Sequence, residues 1–383
     1  GVTELHADPM ALLRTRTSSK WRFYGPDVLP LWVAEMDYPL ATPIASRLIG
    51  LIGRSDTGYD PRPQELGRAW SDFARDAWGW TPDPARVLEA SDVSTAIVET
   101  VRQVAPGGRV IITSPVYPPF FTTVVEGGAE TLDVPLISDG PSQWRLDLDG
   151  IEAALADGAA AVLLCHPHNP IGHVHPREEL ERVAELAREH GAVVISDEVH
   201  APLTHSDVEF TPFLSVSDAA RDVGIAISSG SKAWNIAGLK LAFIMTEADT
   251  AAAARIAGMP QSVQHRASHF GVHAAIAAFT EARDWLAEAV EAIEANRHRL
   301  RALLEEHAPE VVMHEPRAGY LAWLDLRALG WGDDPAARIL AEAKVALNHG
   351  PAFGAGGAGH ARLNFACSPE TLEEAVRRIG ALR

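Results

Sequence analysis

The sequence predicts an α/β protein with a large domain, built on a mostly parallel sheet between helices, and a smaller α+β domain. Two observations predict this fold. Up to about residue 270, short runs that are apolar throughout alternate with helical stretches, as expected of strands covered on both faces. Beyond that point a long helical stretch is followed by strands and helices in a different order, which is typical of a separate, smaller unit.

Five segments in the middle of the chain read as buried strands, at residues 109–113, 161–165, 192–196, 224–228 and 241–245. Between two of them, residues 176–190 have the apolar spacing of an amphipathic helix that begins near Pro176 and ends before Gly191. A strand, a helix and a second strand in succession indicate parallel pairing.

The later elements are a long helix over 272–307, strands at 311–313, 320–324 and 362–366, and helices over 334–343 and from 369 onward. We therefore divide the chain into an N-terminal arm (1–40) that packs with the small domain, a large domain (41–275) and a small domain (276–383).

The charge and cysteine content limit the kinds of partner. The net charge of −18 disfavours nucleic acid and anionic membranes, which bind through basic patches. Two cysteines cannot build a disulfide framework, and the chain has neither a long apolar run nor a signal-like start. These features predict a cytoplasmic protein whose ligand is a small molecule.

Polar side chains follow four of the predicted strands, at the edge where ligands bind in open parallel sheets. They include Tyr117, Asn169, Asp197 and Lys232. Lys232 lies among small residues after a buried strand, where loss of water would lower its pKa and make the amine a nucleophile. The alternative interpretation is a surface lysine beside a helix start.

Asp197 and Asn169 also have two interpretations. Asp197 is either a counter-ion for a protonated ring nitrogen, as pyridoxal phosphate enzymes require, or a helix N-cap. Asn169 is either a donor to a phenolate-like oxygen or a turn residue before Pro170.

Four segments in order resemble the fold-type I pyridoxal phosphate enzymes: residues 168–172, 196–203, 231–240 and 362–367. They are most similar to the cystathionine β-lyase (C–S lyase) branch of the class I/II aminotransferase family. Weaker likenesses occur at residues 31–37, 58–60, 115–120 and 347–350. The resemblance covers nearly the whole chain and implies the aspartate aminotransferase-like fold, with a sheet of the seven-stranded type, and pyridoxal 5'-phosphate as cofactor.

The resemblance also implies roles for individual residues. Lys232 matches the lysine that holds the cofactor, Asp197 the partner of the pyridine nitrogen, and Asn169 the contact of the ring hydroxyl. Tyr117 matches the aromatic ring stacked on the cofactor, and Arg362 the group that binds the substrate carboxylate. The implied phosphate contacts are Ser94 and Thr95, placed before a helix over 96–105, with Ser229 and Lys240.

Three positions qualify this assignment. Lys240 stands where many relatives have arginine, so a bidentate phosphate clamp is not expected there. His200 replaces the tyrosine that many aminotransferases carry near the ring oxygen, which fits the lyase branch. Tyr59 matches a tyrosine that reaches the phosphate of the neighbouring subunit, which implies a homodimer with shared sites.

The function implied is a pyridoxal phosphate-dependent lyase that cleaves an L-cysteine S-conjugate such as cystathionine. The leaving sulfur would be protonated by Lys232 or Tyr59. An aminotransferase or a decarboxylating relative would use the same residues, and a non-catalytic regulator on the same scaffold is the alternative from another class.

No metal site is predicted. The histidines at positions 166, 168, 173 and 175 crowd one turn, but the intervening prolines favour a loop of neutral histidines over a zinc site. The 354–359 segment matches G-x-G-x-x-G but precedes a predicted strand, so it is interpreted as a loop.

Overall fold

The structure is a computed structural model that describes residues 5–383. Its fifteen strands are β1 Leu29–Pro30, β2 Val87–Ala90, β3 Arg109–Ile112, β4 Glu130–Asp133, β5 Ile137–Ser138, β6 Trp144–Arg145, β7 Ala161–Cys165, β8 Val193–Asp197, β9 Gly224–Ser228, β10 Ala242–Met245, β11 Val312–His314, β12 Leu321–Asp325, β13 Val345–Ala346, β14 Asn348–His349 and β15 His360–Asn364.

The α-helices are α1 Met10–Leu13, α2 Ser19–Arg22, α3 Thr42–Gly53, α4 Gln64–Trp78, α5 Val93–Val104, α6 Pro119–Glu126, α7 Leu148–Ala156, α8 Arg177–Glu189, α9 Asp218–Val223, α10 Ala251–Ile256, α11 Ser262–His265, α12 His269–Glu281, α13 Arg283–His307, α14 Pro335–Arg338 and α15 Pro369–Gly380. Short 3-10 turns join several of them, and a π-helical turn, Ile339–Ala343, follows α14.

A seven-stranded sheet forms the centre of the large part, with strand order β2-β10-β9-β8-β7-β3-β4. All pairings except those of β10 are parallel, which confirms the predicted mostly parallel sheet. Successive residues of β8 point to opposite faces, and both faces are covered: Val194 packs in one apolar cluster, Val193 and Ile195 in the other. Burial on both faces explains why these strands are apolar throughout.

The carboxyl ends of the parallel strands lie level with one another. Cys165, the last residue of β7, is opposite Asp197, the last residue of β8, and Asp197 is opposite Ile227 of β9. The residues that follow β7, β8 and β9 therefore emerge at one edge of the sheet, as predicted.

A second sheet of four antiparallel strands, ordered β11-β12-β15-β14, lies in the C-terminal part. Strand β1 of the arm pairs in parallel with β13, Leu29 opposite Val345. This pairing ties the start of the described chain to its C-terminal part. The division at residue 275 stays a prediction.

Two helix predictions were wrong in detail. The predicted helix over 272–307 is two helices, α12 and α13, which meet at Ala282. The predicted helix over 96–105 is α5, which begins earlier, at Val93, because the Asp92 carboxylate accepts the Thr95 amide proton across 2.7 Å and caps the helix there. Ser94 and Thr95 therefore lie in the first turn of α5, not before the helix. No helix within residues 5–383 is long and apolar enough to cross a membrane.

Candidate active site

A cavity opens at the edge of the seven-stranded sheet where the parallel strands end. It is lined by residues from the arm, the start of α5 and the loops after β3, β7, β8 and β9. The lining residues are Ala34, Asp92, Val93, Ser94, Tyr117, Cys165, Asn169, Asp197, Val199, His200, Ser229, Ser231, Lys232, Ala237, Lys240 and Leu241. Eight of the eleven residues singled out from sequence are among them.

Lys232 follows β9 and is half-buried. Removal from water, assisted by the nearby charge of Arg362, lowers its pKa to about 8, while Asp197 acts in the opposite direction. A neutral amine is therefore accessible near neutral pH, which is what a lysine nucleophile or base requires.

Asp197 ends β8 and is buried. Its Oδ1 accepts the Val199 amide proton across 3.2 Å, and no ion pair within 4.0 Å forms to it in the part of the chain described. Burial raises the pKa of this carboxyl to about 7, although Val199 and Lys232 act to lower it. A cationic ring nitrogen placed against Asp197 would supply the missing charge.

Asn169 and Arg362 are joined directly. Arg362 lies in β15 of the second sheet, and its Nη1 donates to Asn169 Oδ1 across 3.1 Å, while its Nη2 donates to the Trp32 carbonyl across 3.2 Å. The backbone amide of Asn169 donates to Cys165 Sγ across 3.3 Å, whereas its side-chain nitrogen, Nδ2, donates to no residue in 5–383 and stays available to an acceptor in the cavity.

Arg362 has the surroundings of an anion receptor. It is buried, its Nε has no partner, and no carboxylate in residues 5–383 lies within 4.0 Å of it. Burial lowers the pKa of its guanidinium to about 10, so the cation persists at neutral pH. A substrate carboxylate would meet a guanidinium that no protein acid neutralises.

Tyr117 and His200 border the same cavity. The Tyr117 amide donates to the Asn169 carbonyl across 3.0 Å, which fixes the tyrosine beside that loop. Burial and the charges of Lys232 and Arg362 lower the pKa of His200 to about 3, so this imidazole is neutral.

The positive end of α5 faces the cavity through Val93 and Ser94. Lys240 lies opposite, and its Nζ is 3.4 Å from Asp92 Oδ2. Ser229 is buried and donates its hydroxyl to the Leu241 carbonyl across 2.6 Å, so this side chain also braces its own loop. Thr95, the next residue of the same turn, does not line the cavity.

Sequence reasoning missed Asp92. Its carboxylate caps α5, pairs with Lys240 and lines the cavity. The signal was present, since an aspartate three positions before a threonine at a helix start is a common capping pattern.

Tyr59 is one of three predicted residues, with Thr95 and Arg362, that do not line this cavity. It lies in the loop between α3 and α4 and its side chain is 99% exposed. The structure places it outside the cavity of its own subunit.

The four clustered histidines are buried or nearly so. Three ring nitrogens bond to backbone carbonyls: His166 Nε2 to Thr211, His168 Nε2 to Pro115 and His175 Nε2 to Cys165. Burial holds the pKa of each of these imidazoles below its ordinary value, as it does for His173. They are neutral at pH 7, as predicted.

A cluster of three possible metal ligands is formed by two histidines of α12 and an aspartate in the loop after α3. The donor atoms of Asp56, His269 and His273 come within 4.8 Å of one another. Arg47 Nε donates to His273 Nδ1 across 2.9 Å, and Arg54 lies 3.5 Å from Asp56. Arg47 thus occupies one candidate ligand atom, Arg54 places a cation beside Asp56, and His269 Nε2 bonds to Asp56 Oδ1 across 3.2 Å, so we assign no metal to this cluster.

The family model for aminotransferases of class I and II matches residues 26–379. The chain belongs to the class I and II aminotransferase family. The family prediction from sequence is therefore confirmed.

Several proteins similar to this chain have names that state an activity more specific than the family name. The cystathionine beta-lyase of Corynebacterium glutamicum is 35% identical, with 97% of this chain and 98% of the relative covered. The cystathionine beta-lyase PatB of Bacillus subtilis is also 35% identical, covering 93% of this chain and 92% of the relative. The crystal structure of cystalysin from Treponema denticola, which contains pyridoxal 5'-phosphate, superposes with a TM-score of 0.89 at 25% identity, covering 96% of each chain.

Proposed function

We propose that this protein is a pyridoxal phosphate-dependent C–S β-lyase that acts on L-cystathionine or a related L-cysteine S-conjugate. The products are a thiol, pyruvate and ammonia. One observation supports this most strongly: a nucleophilic lysine and a buried acid line one cavity, and an unneutralised arginine bonds directly to Asn169 in its lining. Those groups fit a phosphorylated pyridine and an amino acid, and the names of the full-length relatives point to cleavage of the C–S bond.

The donors and acceptors of the cavity fit the cofactor. Lys232 would bind the aldehyde carbon of the cofactor, and Asp197 would pair with its ring nitrogen. The side-chain nitrogen of Asn169 would donate to the ring oxygen of the cofactor. Tyr117 would pack on the ring, while His200 contacts the same region. The phosphate would lie at the start of α5, near Ser94 and Thr95, with Ser229 and Lys240.

The bound cofactor supplies an electron sink that makes the substrate Cα–H bond acidic. Arg362 binds the α-carboxylate and thereby orients that bond. Lys232, whose pKa of about 8 leaves part of its amine neutral, removes the Cα proton. Lys232 or Tyr59 of the neighbouring subunit then delivers a proton to the leaving sulfur.

A homodimer with shared sites is part of this proposal. Tyr59 is exposed and lies outside its own cavity, so within one subunit it has no role there. Ile49 and Ile52, one turn apart on α3, are also more than half exposed and lie near the Tyr59 loop in sequence. A second copy packed on α3 would cover these apolar side chains and receive Tyr59.

A cytoplasmic location is also proposed, supported by two buried cysteines that form no disulfide.

The cofactor assignment is tested with Lys232→Ala. The purified protein is expected to show visible absorption from bound cofactor, and the variant to lose both this absorption and turnover of L-cystathionine. A variant with full turnover would overturn the assignment.

An aminotransferase or a decarboxylating relative remains the second candidate, because Lys232, Asp197 and Arg362 serve those reactions as well. His200, in place of the tyrosine of many aminotransferases, favours the lyase.

A further inference from the structure

Two acidic side chains interact beside the exposed Tyr59, one of them on the next residue of the chain. Asp60 follows Tyr59 in the loop of residues 54–63 that joins α3 to α4. Glu89 lies on β2, the edge strand of the large sheet, opposite Phe243 of β10. The Glu89 side chain is buried, and its carboxyl group contacts that of Asp60.

Each carboxyl has one oxygen without a donor. Asp60 Oδ1 and Glu89 Oε2 are both shielded from solvent, and neither accepts a hydrogen bond from any residue in 5–383. The other Asp60 oxygen, Oδ2, accepts the Arg62 amide proton across 3.1 Å. Two ionised carboxylates only accept and so cannot bond to each other, whereas a single proton between them satisfies both orphaned oxygens.

The surroundings favour the protonated form of the pair. Burial and the Asp60 carboxyl raise the pKa of Glu89 to about 9, and the Arg62 cation only partly opposes this. Strand β10, on the other side of Glu89, offers only apolar side chains at Ala242–Met245. Helices α5 and α11 also pack against β2. Helix α5 carries Glu99 and Arg102, which pair with each other across 3.8 Å, and α11 carries the exposed His265.

Near its start the loop is also attached to α12, where Asp56 Oδ1 bonds to His269 Nε2 across 3.2 Å, but the part of the loop around Tyr59 has few other attachments. Tyr59 has a hydroxyl with no partner in residues 5–383, and both Gly58 and Pro61 beside the Tyr59–Asp60 pair are exposed. Ser55 and Arg62, near the ends of the loop, adopt left-handed backbone with φ of 56° and 55°. The contact between Asp60 and Glu89 is therefore the main polar attachment of the loop to the large sheet.

We propose that Asp60 and Glu89 share one proton, and that this shared proton fixes the loop that presents Tyr59 to the cofactor phosphate of the partner subunit. Both are positioning residues, since they act through Tyr59. The inference rests on the proposed function, in which Tyr59 completes the neighbouring site. Ionisation of the second carboxyl in alkali would place two like charges in contact, release the loop and withdraw Tyr59.

The test measures the affinity of the intact protein for pyridoxal 5'-phosphate between about pH 7.5 and pH 10. Glu89→Gln replaces the shared proton by an amide N–H, which donates to Asp60 at any pH. We expect the wild-type affinity to fall by about tenfold at one pH unit above the pKa of the pair, because one acid group titrates. Glu89→Gln should remain flat over that range, while Glu126→Gln, an exposed control on α6, should follow the wild type.

Tyr59→Phe separates a positioning role from a structural one. If the pair acts through Tyr59, the difference between wild type and Glu89→Gln disappears when both also carry Tyr59→Phe. A difference that persists in that background, or equal pH profiles for wild type and Glu89→Gln, would overturn the inference. Tyr59→Phe without effect at neutral pH would instead contradict the shared site, and failure to bind the cofactor at all would contradict the proposed function.

Infrared spectroscopy tests the proton itself, independently of the cofactor. At about pH 7.5 the difference spectrum of wild type minus Glu89→Gln should show the carbonyl stretch of a neutral carboxyl group, and that of wild type minus Glu126→Gln should not. The buried Glu198 carboxyl, whose pKa is raised to about 8, is present in all three proteins and cancels in both differences. Identical spectra for wild type and Glu89→Gln would show that the pair holds no shared proton.

Discussion

Arg362 Nη1 donates to Asn169 Oδ1 across 3.1 Å, and this hydrogen bond joins the second sheet to the edge of the first beside Lys232. This bond fixes the position of Arg362, the proposed ligand of the substrate carboxylate, relative to Asn169, the proposed ligand of the cofactor ring oxygen. A substrate bound through Arg362 would be oriented relative to the cofactor by the protein itself.

Arg362→Lys is expected to lower kcat/KM for L-cystathionine by about 100-fold, mainly through KM. A single ammonium cannot keep the bonds to Asn169 and Trp32 while also clamping a carboxylate, and truncating a buried charged partner costs about 2–5 kcal/mol. Steady-state kinetics checks this. Arg145→Lys, at an exposed pair with Asp139, is the control and should leave kcat/KM unchanged. An unaltered KM for Arg362→Lys would remove this residue from the substrate site.

Asp197→Asn is expected to retain cofactor but to lower kcat by roughly 100-fold or more, because a neutral amide cannot keep the ring nitrogen protonated. Visible absorption measures occupancy and pyruvate formation measures kcat. Glu198→Gln is the matched control on the neighbouring residue. Its carboxyl is buried, with the pKa raised to about 8 by burial, and bonds to Ser196 and Phe213 away from the cavity. Equal losses in both variants would refute a specific role for Asp197.

Lys240→Arg is expected to tighten cofactor binding by about threefold to tenfold, since a guanidinium fork bonds a phosphate at two oxygens and an ammonium does so at one. The side chain is 60% exposed, so a longer group has room. Equilibrium titration with pyridoxal 5'-phosphate gives the affinity. Lys344→Arg, remote and exposed, should have no effect. Weaker binding by Lys240→Arg would place the phosphate elsewhere.

The buried histidines at positions 166, 168, 173 and 175 should make the free energy of unfolding decrease at acid pH. Burial depresses the folded pKa of His168 and of His173 to about 4, below the ordinary 6.5, so the unfolded chain binds these protons first. Their contribution is therefore complete above about pH 6.5 and is lost as the pH falls towards 4, by about 3 kcal/mol for each histidine.

Urea unfolding at several pH values measures this loss. His168→Gln should flatten the dependence of the free energy of unfolding on pH between about 4.5 and 6.5, because one proton fewer is taken up. The exposed control His265→Gln should keep the wild-type slope. A slope that is the same in both variants would assign the acid sensitivity to other groups.

The strands that carry the site were predictable because they are buried on both faces. The sequence signal was weaker for β4, where Glu130 is exposed and its neighbours only half-buried, and for β2, whose Glu89 has a polar partner in a distant loop. Edge strands lack the continuous apolar run that marked the central ones.

The chemistry of the site was predictable from single residues that follow strands, whereas contacts between distant segments were not. The bond between Arg362 and Asn169 depends on how the two sheets pack, and nothing local to either residue specifies it. The pair formed by Asp60 and Glu89 is a contact of the same kind. The start of α5 was misjudged because the capping role of Asp92 was overlooked.

The most direct test of the central claim is one incubation with L-cystathionine, with and without an added keto acid, following free thiol, pyruvate and ammonia together. We expect equal amounts of all three products, formed at the same rate whether or not the keto acid is present. Amino transfer that requires the keto acid and releases no thiol would contradict it.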